Sequence, residues 1–248
     1  HQSGIFGSDS VYEARISEFL PFIKRTSPRY IELPPYYPDT PETRKLWARY
    51  YTNVSIVDYQ FSKVLNELKE DGLEDNTIVV FFSDHGTGVP RGKRALYDSG
   101  LKVPLLVHIP EKYAEKFNFE NGMKEARLVS FVDFAPTMLV IAGIKIPDIW
   151  QGEPFISTNR QSQKHFAFAT ADRVDEAYET ARTITNGKYR YIRNFMPHLP
   201  LLQPNFYTDQ SELMKELHRF QKKEELNEAQ KSMFVNSRFP EELYDVVS

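Results

Sequence analysis

The chain has no cysteine among its 248 residues. That excludes disulfides, thiolate metal ligands and a cysteine nucleophile within it, and it identifies no redox compartment. No apolar run approaches the ~20 residues of a membrane span, and no leader-like segment opens the sequence. Because the chain begins at His1 rather than Met, an upstream segment is expected to be missing, and the lack of a leader says nothing about location. The formal net charge is only −3, which makes no electrostatic case for nucleic acid or a membrane surface as partner. A Gly-x-Ser-x-Gly elbow and a Walker-type phosphate loop are both absent. So are internal repeats and low-complexity tracts. What is present is apolar and aromatic: 41% hydrophobic residues, with 18 Phe and 14 Tyr, enough for a sizeable core in one large domain or one and a half.

Residues 77 to 83 form a short β-branched and aromatic run whose composition suits a strand buried on both faces. The residues ahead of it supply a helix over 41–71. Thr40 can cap it, Pro41 fits its first turn, Glu42 suits the positive end of its dipole and Gly72 suits its end. Trp47, Tyr50, Val54, Val57, Phe61, Val64 and Leu68 predict one apolar stripe along it. A shorter helix is expected over 11–24, with Val11, Ile16, Phe19, Leu20 and Ile23 apolar, before prolines break the chain. Leu105 to Ile109 reads as a neighbouring strand, 110–127 as loop or short helix, and Asp133 as the cap of a helix closed by Gly143. Helix, tight turn and strand read as half of a βαβ layout, so the chain up to about 155 is α/β.

Beyond that the pattern changes. Strands are expected at 165–170, 181–185 and 188–195, the last two flanking an Asn186-Gly187 hairpin signal. A charged helix is expected from 209 to about 233, with Leu213, Leu217, Phe220, Leu226 and Met233 apolar, and an edge strand at 242–245. The expected organisation is therefore 1–155 as part of an α/β domain and 156–248 as a small α+β subdomain with an antiparallel sheet.

The strand at 77–83 ends at Asp84-His85-Gly86. Ligands of open α/β sheets bind outside the carboxyl ends of strands. With Gly86 allowing a sharp turn, a carboxylate and an imidazole there could meet one ion. The carboxylate suits calcium or magnesium, and the imidazole leans towards zinc. The alternative is a capping Asp beside a hydrogen-bonded His. Lys93 follows, between Gly92 and Arg94, as a compact charge suited to a tetrahedral oxyanion; Arg91, Arg94 and Lys102 read as a solvated basic loop. His108, His165, His198 and His218 are scattered and read as structural. His1, read from the residues alone, marks only where the chain was cut.

Four segments in order then resemble the sulfatase family of the alkaline-phosphatase-like superfamily. They are the helix and strand ending Phe81-Phe82-Ser83-Asp84-His85-Gly86; Arg91 to Gly100 followed by Val103-Pro104-Leu105; Val132-Asp133-Phe134-Ala135-Pro136-Thr137 with Leu139, Ala142-Gly143 and Gln151-Gly152; and Thr185 to Ile192. The chain looks like the C-terminal half of such a protein, similar to bacterial sulfatases akin to heparan N-sulfatase.

The resemblance implies part of an alkaline-phosphatase-like mixed sheet sandwiched by helices. It also implies hydrolysis of sulfate esters or sulfamates on sulfated sugars such as glycosaminoglycans. In the family a formylglycine, made in a Cys/Ser-x-Pro-x-Arg motif, is the nucleophile, and calcium holds the sulfate. Carried over by position, Asp84 and His85 are calcium ligands, with Asn frequent in the family where His85 stands. Lys93 contacts the sulfate and the leaving oxygen, and His1 matches a histidine that touches sulfate. The nucleophile motif and an Asp-Asp pair are absent from this chain. The resemblance therefore implies that they lie in a missing N-terminal half, its natural partner, and that this chain alone is inactive. Secretion or a periplasmic location is the family expectation. Two other readings stay open: a two-metal phosphatase or phosphodiesterase of the same superfamily, and a non-catalytic domain that kept the fold.

Overall fold

The computed structural model describes residues 8–158 and 164–247. Helix α1 (Asp9–Ile16) is shorter than the 11–24 span expected, and turns follow it. Tyr12 and Ile16 pack with Ile56, while Val11, expected on the apolar side, is exposed. Helix α2 (Pro41–Glu70) has the expected ends. Thr40 Oγ1 accepts a hydrogen bond from Thr43 N at 3.1 Å, and Gly72 takes a φ of 68° after the last turn.

The buried face of α2 differs from the stripe read in the sequence. It consists of Thr43, Leu46, Trp47, Ala48, Arg49, Thr52 and Ile56, none beyond the middle of the helix, whereas Val54 and Val64 are exposed. The reason is what lies opposite. The first half meets the C-terminal helix α7 (Glu212–Lys222) in a shared core of Leu46, Trp47, Leu213, Met214, Leu217, Leu226 and Met233. The second half meets the N-terminal segment, where Phe22 stacks on Tyr59 at 4.8 Å, and β1 (Val79–Phe82), where Phe61 lies against Phe81 at 4.7 Å. Each aliphatic side chain fully buried in that shared core contributes about 1.5–3 kcal/mol.

Strand β1 pairs with β2 (Leu105–His108), antiparallel, with Val79 opposite His108 and Phe82 opposite Leu105. This differs from the βαβ expectation. The connection, residues 83–104, folds back as a compact loop with only a single helical turn and no crossover helix on the sheet face, and the strands it joins pair antiparallel. Nor is β1 buried on both faces: Phe82 is 43% exposed. Helical segments still flank it, with α2 touching Phe81 and with Phe131 and Phe134 against Phe82 at 5.8 and 4.7 Å. Helices α3 (Asp98–Leu101) and α4 (Glu111–Ala114) are single turns. Asp133 ends a short 3-10 turn, Phe131–Asp133, that leads into α5 (Phe134–Ile141).

The second sheet runs β3 (Ala167–Ala171), β4 (Ala181–Thr185), β5 (Tyr189–Asn194), β6 (Glu241–Asp245), all antiparallel in that order. Asn186 Oδ1 accepts from Lys188 N and Tyr189 N at 3.0 and 2.7 Å, and Gly187 has φ 89°, so the hairpin signal is realised. The helix expected over 209–233 is instead three: α6 (Phe206–Asp209), α7, and α8 (Glu228–Lys231). Capping residues inside the run divide it. Ser211 Oγ accepts from Met214 N at 3.1 Å, and Asn227 and Gln230 form a reciprocal box.

Candidate functional site

The end of β1 carries Asp84 into solvent, its side chain 81% exposed, while the His85 side chain is partly covered. His85 Nε2 lies 3.5 Å from Asp84 Oδ2, and its Nδ1 lies 2.7 Å from the Gly86 carbonyl oxygen. Ser83 Oγ donates to the His85 carbonyl at 2.8 Å, fixing the backbone between the two. The pair is thus together and accessible. Among the described residues no group of three or more His, Asp or Glu side chains could hold an ion.

The donor chemistry fits calcium in part. Asp84 offers the carboxylate oxygens a hard cation takes, and calcium needs six to eight such ligands. His85 offers nitrogen, which suits it less. These two side chains can therefore supply one portion of a calcium shell.

Lys93 sits in the loop that follows, and a web of short backbone contacts holds that loop. Lys93 N donates to Thr87 O at 2.7 Å, Gly92 N to Val89 O at 2.9 Å and Gly86 N to Gly100 O at 3.0 Å. A Cβ on Gly86 would stand 2.0 Å from Ser99 O, and one on Gly92 2.3 Å from Thr87 O. Only glycine permits these approaches, so the spacing of Gly86, Gly92 and Gly100 is what lets the loop close on itself. The result places Lys93 on a fixed backbone bonded to a residue two beyond His85. Thr87 Oγ1, inside this loop, is buried without a hydrogen-bond partner among the described residues.

The neighbouring arginines do not form the solvated basic loop expected. The Arg91 guanidinium lies over the rings of Tyr36 and Tyr97, at 4.7 and 3.9 Å from their centroids. Arg94 pairs with Asp175 at 2.6 Å, bonds Asn205 Oδ1 at 3.1 Å and covers the Tyr207 ring. Both adopt positive φ, 63° and 81°, a conformation uncommon outside glycine. Their side chains are engaged in anchoring the loop on both sides of Lys93. Lys102 is exposed, as expected. His1 lies outside the described residues.

Sequence reasoning missed the groups that tie this loop to the second sheet. Arg190, on β5, donates from Nε to Asp98 Oδ1 at 2.7 Å and from Nη1 to Thr183 Oγ1 at 3.3 Å. Tyr97 OH donates to Glu242 Oε2 at 3.1 Å. Burial first, and the Glu242 charge second, push the Tyr97 phenol up to about 12. One signal was available: Arg190, Ile192 and Asn194 fall on alternate positions of a strand, and all three are buried.

A family model described as Sulfatase matches residues 25–144, and one described as N-sulphoglucosamine sulphohydrolase, C-terminal, matches residues 91–235. The chain is 36% identical over 216 residues to an ulvan-active sulfatase of Formosa agariphila, covering 87% of this chain and 35% of that protein. It is 33% identical over 142 residues to human N-sulphoglucosamine sulphohydrolase, covering 57% of this chain and 27% of that one. The chain therefore spans about a third of the length of the curated relatives it matches. Among solved structures, it superposes on a 2-O GAG sulfatase with TM-score 0.53 at 20% identity, covering 61% of this chain and 34% of that one. It superposes on a phosphonate monoester hydrolase of Silicibacter pomeroyi with TM-score 0.52 at 22% identity, covering 73% and 39%. These likenesses show the shared alkaline-phosphatase-like fold. With the second of the two family models extending over more than half of its residues, the chain belongs to the sulfatase family.

Proposed function

We propose that the full-length protein hydrolyses sulfate esters or sulfamates of sulfated sugars, and that this chain supplies the Lys93 side of its site. Family membership supports the reaction class. The names of two relatives, an ulvan-active sulfatase and N-sulphoglucosamine sulphohydrolase, support a sulfated carbohydrate as substrate. The observation that carries the reading is the loop geometry: a lysine held on a glycine-closed backbone hydrogen-bonded just beyond an accessible Asp-His pair.

Negative charge builds on the departing oxygen, or nitrogen in a sulfamate, as the sulfuryl group transfers. A preorganised ammonium stabilises that charge more in the transition state than in the ground state. Lys93 takes this role. Asp84, with His85 beside it, would hold part of a calcium ion. Calcium would supply further positive charge to the sulfate, and a formylglycine the nucleophile. Both the nucleophile and the remaining ligands would come from residues outside this chain, which alone is expected to turn over no aryl sulfate. His1 remains a proposed contact to the sulfate. We keep the division into a catalytic part, 1–155, and a C-terminal subdomain, 156–248. Among the described residues no helix is long and apolar enough to cross a membrane. One relative, from Drosophila melanogaster, is named an extracellular sulfatase homolog, and we propose a secreted or periplasmic location.

The test is Lys93→Ala in the full-length protein, following inorganic sulfate released from a sulfated glucosamine. Removing one preorganised charge-stabilising donor costs about 10²–10³ in kcat, and a loss of that size is expected. An unchanged rate would remove Lys93 from the reaction. Preferential release of phosphate from a matched phosphate ester would move the reading to a phosphatase of the same fold.

A further inference from the structure

The loop that carries Lys93 is fastened at its far end from a different sheet. Arg190 reaches from β5 to Asp98, the first residue of α3, 92 positions earlier in the chain. Its side chain is only 8% exposed, and the bond to Asp98 is 2.7 Å. A guanidinium buried this far needs a carboxylate partner to offset its lost hydration. Asp98 provides it, and Thr183 Oγ1 accepts from the same head group at 3.3 Å.

What Asp98 holds is the backing of the site. Asp98 O accepts from Lys102 N at 2.8 Å and Tyr97 O from Gly100 N at 2.9 Å, closing α3 as a rigid turn. Ser99 Oγ donates to Arg91 O at 2.6 Å. A Cβ on Gly100 would stand 2.4 Å from Gly92 O, so the backbone just before Lys93 rests on α3 in van der Waals contact. Gly86, just after Asp84 and His85, donates to Gly100 O at 3.0 Å from the other side. One four-residue turn therefore backs both arms of the candidate site, and the part-buried Arg190–Asp98 pair, beside the Tyr97–Glu242 bond, ties that turn to the second sheet.

We propose that Arg190 and Asp98 are positioning residues for Lys93: the pair sets where α3 stands, and α3 sets where the Lys93 backbone stands. The proposal rests on the reading of Lys93 given above. Neither residue touches the sulfate. Their effect comes through placement, and a misplacement of about 1 Å can cost about 10²-fold in rate.

Steady-state kinetics on the full-length protein, with sulfate release from a sulfated glucosamine as readout, tests this. Arg190→Lys, Asp98→Asn, their double variant and Lys93→Ala are compared, each with its thermal unfolding. Arg190→Lys keeps charge and bulk but loses the planar fork, and is expected to lower kcat tenfold or more with KM changed less than threefold. The double variant is expected to be no worse than the more damaged single variant, because both remove one interaction. In a Lys93→Ala background Arg190→Lys is expected to lower the residual rate less than threefold.

An Arg190→Lys rate at the parent level, beside a crippled Lys93→Ala, overturns the positioning role and leaves the functional reading standing. The same tenfold loss persisting in the Lys93→Ala background overturns it too, since a general structural defect would act there as well. So does failure of both single variants to fold. An unchanged Lys93→Ala rate instead sinks the functional reading, and the positioning role with it.

Discussion

The two sheets of this chain are held in different ways. The β1–β2 pair is a single antiparallel ladder backed by a small buried cluster of Ile109, Phe117 and Ile156, while the apolar side chains Phe82, Leu106, Phe131, Val132 and Met138 around it are exposed. The four-stranded sheet is tied along its inner strands, while Phe168 and Leu243 on its edge strands are exposed. Arg190, Ile192 and Asn194 are buried on β5. Asn194 bonds Glu242 of β6 at 2.6 Å, and Arg238 pairs with Glu179 at 2.8 Å. The candidate site straddles the two. Asp84 and His85 end the sparsely covered strand β1, while Lys93 rides a loop clamped to the well-tied sheet through Asp98 and Glu242. Both arms rest on α3, Asp84-His85 through the Gly86–Gly100 bond, but the Asp-His arm also depends on whatever packs beside β1.

With so much apolar surface exposed, the first region should depend strongly on a few polar fastenings beside its small buried cluster. Asp133 is the strongest of these. It is 1% exposed, and its carboxylate takes Lys164 Nζ at 2.6 and 2.8 Å, Ser130 N at 2.8 Å and Glu153 N at 2.9 Å. Asp133→Ala leaves a largely covered ammonium and two amides without partners, which costs about 3–5 kcal/mol. Denaturant unfolding measures this, and a loss below about 1 kcal/mol would show that the clamp does not hold the region. In the second region a buried apolar cluster of Leu96, Ala181 and Ile192 adds to the polar ties. Ile192, 2% exposed at the centre of β5, should lose about 2–4 kcal/mol as Ile192→Ala, from transfer and cavity terms together.

A smaller effect is expected where the loop meets the second sheet. The Tyr97 phenol is raised to about 12 by burial and then by Glu242, above its ordinary value near 10. Tyr244, which also donates to Glu242, is raised by burial as well. A raised folded-state value means the fold favours the neutral phenol. Its contribution is whole below pH 10 and is lost as pH climbs from 10 to about 12. Tyr97→Phe should cost about 1 kcal/mol at neutral pH for the lost hydrogen bond and make the stability decline above pH 10 shallower. Tyr244 leaves some of that decline in place. A decline of undiminished slope would mean that Tyr97 does not titrate in the fold as its surroundings require.

Much of this architecture could be read from local pattern. Thr40-Pro41 and Gly72 bracket α2, and Asn186-Gly187 turns β4 into β5, because caps and turns are set by residues a few positions apart. Asp84 and His85 stand out in the sequence as a strand end and Lys93 as a lysine between Gly92 and Arg94, and the structure puts all three about one loop. What could not be read was decided at long range. Which face of α2 is buried depends on α7, some 170 residues on, as the Thr40–Glu216 bond between them illustrates at a separation of 176. Arg91 and Arg94 looked like solvated charge because their partners Tyr36, Asp175 and Asn205 are distant in sequence. Asp98 and Arg190 share no motif, and only the register of β5 brings them together.

The smallest expected effect bears most directly on the comparison. Leu106 lies on β2, 56% exposed, opposite Phe81 in the ladder. A half-exposed leucine has withdrawn only part of its apolar surface from water, and the ladder hydrogen bonds are made by backbone atoms that a substitution leaves in place. Leu106→Thr introduces a β-branched side chain, which strands accommodate well. In this chain it should therefore change stability by less than about 1 kcal/mol, well short of Ile192→Ala measured alongside. The same substitution in the full-length protein measures something else, namely whether this surface is covered there. A cost that rises to 2 kcal/mol or more would mean that the exposed face of the first sheet is an internal one. The asymmetry between the sheets would then belong to the chain in isolation. A cost that stays small would make the loose covering of β1 and β2 a property of the site itself, with Asp84 and His85 mounted on its more compliant side.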